Sequence, residues 1–222
     1  RSIKKKILVK LEDKIKLIIF DVDGVLINSK KNMNLAFDSM CKKNNLKNLK
    51  FIDYFNKIGL PFIKIMKNIG ITNNLANLKK DYFNFSLIFK KKIKPYSGVY
   101  QTLQILEKNY TLAIVTSKEK KNAKYFMKFF FPKIKFKIIC SPNSNLKPKP
   151  SPDMLMYVCK KNKIVPSNAL YVGDTYFDYK ASKSSKMKFI LAKYGYFAND
   201  KRIKTDYIIK KFSDITKLLT ND

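Results

Sequence analysis

The sequence contains no histidine. That absence excludes Ser-His-Asp and Cys-His catalysis and any His-ligated metal. Acid–base work then falls to carboxylates, lysines or tyrosines, and any resident metal would be a hard cation held by oxygen ligands. Cysteine is scarce as well. Cys41, Cys140 and Cys159 are odd in number and lack metal-ligand spacing. Cys140 ends an apolar run and Cys159 falls in a helical pattern, so both read as core thiols. A reducing cytoplasm is the simplest setting. No apolar run approaches the roughly 18 residues a membrane span needs. No long apolar stretch follows the basic start before Glu12 and Asp13, so no signal peptide is expected. The first residue is not Met, which suggests a trimmed or partial chain and leaves a removed leader open.

Acidic residues number only 16 against 47 basic ones, for a formal charge of +31. Such a surplus suggests a polyanionic partner such as nucleic acid. Yet only Arg1 and Arg202 are arginine, whereas phosphate and base recognition favours the guanidinium fork. The lysines are also spread along the whole chain. Compositional bias toward Lys, Asn and Ile, as in an AT-rich genome, explains the charge more simply, so nucleic acid is not the expected partner. The charge would still draw anionic substrates inward, weakly at physiological salt.

What is present centres on Leu17-Ile18-Ile19-Phe20-Asp21-Val22-Asp23-Gly24-Val25-Leu26. An apolar run that stops at a carboxylate and a glycine reads as a short buried strand. Side chains alternate along extended backbone, so Asp21 and Asp23 can share one side just past its end. In an open α/β sheet the carboxyl ends of the strands are where ligands bind. Two carboxylates this close repel unless a cation or a shared proton intervenes.

With 222 residues, 45% of them hydrophobic, the chain can build one good core plus a small insert. Residues 1–15 form a basic lead-in, either an extra strand or a frayed end, and 16–20 the first core strand. From 28 to 94 apolar residues recur at helical spacing, as in Met33, Ala36, Phe37 and Met40. Asn pairs and Ile58-Gly59 interrupt the pattern, which predicts a small helical bundle without convincing strands. Strands are then expected at 112–115, 138–140, 169–172, 189–192 and 206–209. Helices are expected after Gly98 and at 119–131, 153–161, 176–185 and 214–219. Alternating strands and helices predict a doubly wound parallel sheet.

Four segments in this order resemble the motifs of the haloacid dehalogenase-like phosphatases. The first is Asp21-Val22-Asp23-Gly24-Val25-Leu26. The second is Leu112-Ala113-Ile114-Val115-Thr116-Ser117, a strand ending in Thr. The third is Lys149-Pro150-Ser151-Pro152-Asp153, opening a helix. The fourth is Tyr171-Val172-Gly173-Asp174-Thr175-Tyr176-Phe177-Asp178. The resemblance runs from about Lys16 to Leu219. It implies an α/β fold with a Rossmann-like, doubly wound parallel core at 1–27 and 95–222 and an inserted α-helical cap at 28–94.

The resemblance also implies a chemistry. Asp21 would be the nucleophile that forms an aspartyl-phosphate, and Asp23 the acid that protonates the leaving alcohol and then activates water. Mg²⁺ would be held by Asp21 and Asp174 side chains and the Asp23 backbone carbonyl. Thr116 and Ser117 would meet the phosphoryl oxygens, with Gly24 alongside, and Lys149 would offset their charge. Lys147 is a rival for that last role, but Lys149 keeps the motif's register. Asp178 would orient Lys149 or a metal-bound water; its plainer reading is a carboxylate favoured by a helix N-terminus. Asp23 favours phosphoryl transfer over carbon–halogen chemistry, since the founding dehalogenases lack a carboxylate there. Cap-entry residues Asn28, Ser29, Lys57 and Gly59 are candidates for substrate choice. The expected activity is Mg²⁺-dependent hydrolysis of a small phosphorylated metabolite, phosphoglycolate- or sugar-phosphate-like. A phosphosugar mutase of the β-phosphoglucomutase type and a nucleotide- or nucleic-acid-binding protein are the alternatives. Neither oligomeric state nor physiological substrate is legible.

Overall fold

The computed structural model describes residues 14–219, apart from 198 and 206. The basic lead-in therefore falls almost wholly outside the described residues, as does Asp206, where the last strand was expected to begin. The core is a six-stranded sheet whose paired neighbours all run parallel, in the order β5-β4-β1-β6-β7-β8. Its strands are β1 (Leu17–Phe20), β4 (Thr111–Val115), β5 (Phe136–Cys140), β6 (Ala169–Gly173), β7 (Lys188–Ala192) and β8 (Ile208–Ile209). The expected strand positions are met within two residues.

Each central strand is apolar on both faces, as a sheet covered on both sides requires. Ile18, Phe20, Ile114 and Val172 join one buried cluster with residues of α5 (Val99–Leu106), α6 (Lys120–Phe130) and α9 (Asp214–Leu219). Leu17, Ile19, Val115 and Tyr171 join the opposite cluster, with α7 (Asp153–Asn162) and α8 (Tyr176–Ser184). Helices thus cover both faces, and the sheet is doubly wound. The chain proceeds from β1 to β4 and β5 on one side, then crosses back to β6 on the other. The crossing makes the β1–β6 boundary a topological switch point, where open α/β sheets form a crevice.

Between β1 and β4 lie α1 (Lys30–Lys43), α2 (Phe51–Phe55), α3 (Phe62–Asn68) and α4 (Leu75–Ile88). They close around their own cluster, centred on Phe37, Met40, Tyr54, Met66 and Leu78. Asn32 on α1 donates to the Ser86 carbonyl on α4, and the Ser86 hydroxyl donates back to Asn32 Oδ1, both at 2.8 Å. This buried reciprocal pair leaves neither group unsatisfied and fixes the α1–α4 register. The unit joins the core through β2 (Ile27–Asn28) and β3 (Lys94–Pro95), which pair antiparallel. Sequence patterning had offered no strand here, because two residues carry no period. Among the described residues no helix is long and apolar enough to cross a membrane.

Candidate active site

The ends of β1, β4 and β6 bring the first, second and fourth motifs to one edge. The Asp21 amide donates to the Val172 carbonyl at 3.0 Å, and the Thr116 amide to the Cys140 carbonyl at 3.1 Å. The ladder therefore runs on just past the strands and holds both residues rigidly. Asp21 and Asp174 are 5% and 0% exposed. The chain leaves β1 through Gly24, at φ +85°, and a Cβ there would stand 2.2 Å from Asp174 Oδ2. Only glycine meets both demands, the left-handed backbone and the close approach.

Lys149 is fully buried. Its Nζ lies 3.0 Å from Asp21 Oδ2 and 2.6 Å from Asp178 Oδ1. Lys147 is exposed, and its amide donates to Asp153 Oδ2 at 3.1 Å, so Lys149 is the lysine brought to the carboxylates. Asp178 is saturated. Its Oδ1 accepts from Lys149 and from the Tyr171 hydroxyl at 2.7 Å, and its Oδ2 accepts from the Thr175 amide at 3.0 Å and hydroxyl at 2.6 Å. Both readings of Asp178 hold together. It completes a capping box with Thr175 at the start of α8, and its other oxygen grips Lys149.

Asp21, Asp174 and Asp178 bring carboxylate oxygens within 4.8 Å of one another. With all three ionised, a single ammonium, Lys149, would stand against three negative charges. Burial, resisted by Lys149 and reinforced by Asp178, pushes Asp21 up to about 7. Burial, with Asp178 and Asp21 adding to it, pushes Asp174 well above the carboxylate range. Burial acts against Asp178 too, but Lys149 and its hydrogen bonds outweigh it and hold Asp178 below its ordinary value. Burial likewise opposes the Lys149 charge, and Asp178 and Asp21 overcome it, raising Lys149 above an ordinary lysine. Asp21 Oδ1 and Asp174 Oδ1 are buried without a hydrogen-bond partner, while the second Asp174 oxygen accepts from the Tyr196 amide at 2.7 Å. Buried carboxylate oxygens without donors are costly. Two orphaned hard oxygens, on carboxylates whose ionisation burial and their neighbours oppose, fit a divalent cation, which Asp21 and Asp174 would hold through their side chains. Asp178 has no acceptor position to spare.

Asp23 sits above this floor, its side chain 13% exposed. Ser29 Oγ donates to its Oδ1 at 2.5 Å, and Lys118 Nζ lies 3.0 Å from its Oδ2. The Ser29 amide in turn donates to the Tyr196 hydroxyl at 2.7 Å. Thr116 Oγ1 accepts from the Lys118 amide at 3.2 Å, which leaves the hydroxyl hydrogen free to donate elsewhere. The Ser117 hydroxyl donates to the Gly59 carbonyl, joining core to helical unit. Asn28 accepts from the Lys30 amide at 3.3 Å and is exposed. A cavity of about 230 Å³ opens from Asp21, Asp23 and Thr116 toward Tyr54, Phe62 and Tyr82 on the helical unit; Ser117 and Gly59 also line it.

Sequence reasoning passed over Lys118, Tyr171 and Tyr196. Lys118 carried a signal, since it directly follows Thr116-Ser117, but among so many lysines it did not stand out. Tyr171 lies inside the fourth motif and reads as a strand residue. Tyr196 reaches the site from the loop after β7 with no local pattern at all.

The residues at 18–192 match the model of the haloacid dehalogenase-like hydrolases. This chain belongs to the haloacid dehalogenase-like hydrolase family. It is 28% identical to a phosphoglycolate phosphatase of Aquifex aeolicus, over 93% of this chain and 97% of that protein. It is equally identical to one from Haemophilus influenzae, over 92% and 98%. Among solved structures, a predicted phosphoglycolate phosphatase from Haemophilus somnus superposes with a TM-score of 0.77 at 26% identity, covering 93% of this chain and 99% of the other. A haloacid dehalogenase-like hydrolase from Bacteroides fragilis superposes at 0.81 and 21% identity, covering 90% and 99%. The latter speaks to the fold.

Proposed function

We propose that this protein is a Mg²⁺-dependent phosphatase that hydrolyses a small phosphorylated metabolite through an aspartyl-phosphate on Asp21. The observation that carries the reading is the pair of orphaned oxygens on Asp21 and Asp174, beside Lys149. The whole-length likeness to phosphoglycolate phosphatases supports it. A bound Mg²⁺ would neutralise the floor and let a phosphate dianion approach Asp21, and Asp21 and Asp174 would hold it.

The remaining steps fall to the chain's own residues. One Asp21 oxygen attacks phosphorus, and the bond from phosphorus to the ester oxygen breaks. Asp23, held by Ser29 and Lys118, gives its proton to the departing alkoxide. It then takes a proton from a water that attacks the same phosphorus, which breaks the bond to Asp21 and releases phosphate. The free Thr116 hydroxyl hydrogen donates to a nonbridging oxygen, and Lys149 faces the charge that builds on the phosphoryl group. Asp178 and Tyr171 position Lys149. The helical unit, which we treat as a cap over 28–94, excludes water from the leaving group. The three buried free thiols suit a reducing cytoplasm.

The test is phosphate release from a panel of phosphorylated small molecules, with Mg²⁺ and with EDTA, beside an Asp21→Asn variant. The expected result is release that requires Mg²⁺ and disappears in the variant. No release from any compound by folded, Mg²⁺-loaded protein would overturn the proposal.

A further inference from the structure

The upper half of the cavity departs from what a small, charged or heavily hydroxylated leaving group would need. Its wall is built from Tyr54 on α2, Phe62 on α3, and Tyr82 and Phe83 on α4, with Phe126 of α6 facing them from the core. The rings form a connected set, Tyr54 to Tyr82 at 5.6 Å and Phe62 to Tyr82 at 5.1 Å. Burial pushes both the Tyr54 and the Tyr82 phenol up, so both stay neutral.

In a chain with 47 basic residues, Lys79 and Lys118 are the cations among the described residues lining this cavity. Both are engaged. Lys118 Nζ lies 3.0 Å from Asp23 Oδ2, and Lys79 Nζ 3.1 Å from Glu119 Oε2 at the half-exposed rim. A carboxylate or second phosphate on the substrate would have to draw Lys118 off Asp23 or Lys79 off Glu119, and the first exchange leaves Asp23 without its cation. Among the neutral polar side chains, Ser86 is bound to Asn32 and Ser117 to Gly59, which leaves chiefly Asn122 and the Tyr54 and Tyr82 hydroxyls to meet the several hydroxyls of a polyol. Apolar and aromatic rings, by contrast, match the wall's area and ring geometry.

We infer that the preferred substrate is the phosphate monoester of an uncharged alcohol carrying an apolar or aromatic ring, which sits among Tyr54, Phe62, Tyr82 and Phe126. This rests on the phosphatase reading and specifies its leaving group.

The test compares kcat/KM for benzyl phosphate, phosphoglycolate and glucose 6-phosphate. We expect benzyl phosphate to exceed each of the others by tenfold or more. In a second variant, Ile63→Lys, a cation enters the wall at a partly exposed position. The ratio of phosphoglycolate to benzyl phosphate should rise about tenfold there. Calorimetry on Asp21→Asn gives a readout without turnover, and benzyl phosphate should bind it more tightly than phosphoglycolate. Phosphoglycolate or glucose 6-phosphate outrunning benzyl phosphate would overturn this inference and leave the phosphatase reading standing. So would a Lys118→Met variant that loses phosphoglycolate turnover alone. Release from none of the three compounds would count against both.

Discussion

The cavity floor reaches, through Asp21, a buried cluster of three carboxylates and one ammonium, while the cavity wall on α2, α3 and α4 is largely aromatic and aliphatic. The floor lies on strand ends, where the β1 and β4 hydrogen-bond ladders hold side chains within narrow limits. The wall lies on short helices whose positions are set by ring packing. The floor carries crowded carboxylates and unsatisfied oxygens, features that cost stability and cluster at functional sites. The wall has neither. Two kinds of structure thus meet at one cavity.

The largest effect that would break this contrast is on the reaction itself. Asp21→Asn should reduce phosphate release on the order of 10⁴-fold or more, measured as single-turnover rates, while substitutions of the wall mainly redistribute rates among substrates. Lys149→Met should be the most damaging to folding. It leaves Asp21 and Asp178 facing each other in a buried site without their shared cation, and the expected loss is about 3–5 kcal/mol by urea unfolding. Retention of wild-type stability would show that the floor is not held together by this pair.

Smaller and of opposite sign is the effect of pH on the metal-free floor. Asp21 is raised from an ordinary 3.8 to about 7 in the folded protein. Between those values the folded state holds more protons than the unfolded state, so the contribution of Asp21 falls as pH rises through this window. In EDTA, wild type should lose stability relative to Asp21→Asn from about pH 4 to about pH 7, read as the difference in melting temperature. Mg²⁺ should restore wild type most at the upper end, because its ligands must be ionised. A flat difference would mean that Asp21 is not burdened by burial.

The smallest effect lies in the helical unit. Asp81 is held below its ordinary value by hydrogen bonds from Lys43 and Asn44. Its contribution is therefore complete above the ordinary carboxylate value and lost as pH falls through the lowered folded one. Lys43 is exposed, so Asp81→Asn should cost less than about 1 kcal/mol at neutral pH. Denaturation curves at neutral and acid pH would check both size and direction.

The same contrast explains what was legible from the residues alone. Asp21, Asp23, Thr116, Lys149, Asp174 and Asp178 lie within short fixed motifs, because backbone at a strand end or a helix start places a side chain by its position in the chain. The sheet followed from apolar runs broken by turn residues. The roles of Ser29, Lys118 and Tyr196 around Asp23 and Asp174 were not legible, since they depend on loops far apart in sequence meeting at one point. Ser29 and Tyr196 are separated by 167 residues. The β2–β3 ribbon was missed because each strand is two residues long. The wall was visible only as helical periodicity, which marks Tyr82 as apolar-facing without saying that it faces a cavity.

The most direct test of the central claim is to quench the Mg²⁺-loaded protein in acid during turnover and weigh the peptide that contains Asp21. The account predicts an added phosphoryl group on Asp21, lost when the quench follows exhaustion of the substrate and absent from Asp21→Asn. Turnover with no phosphoryl group on that peptide, or with one on another residue, would contradict it.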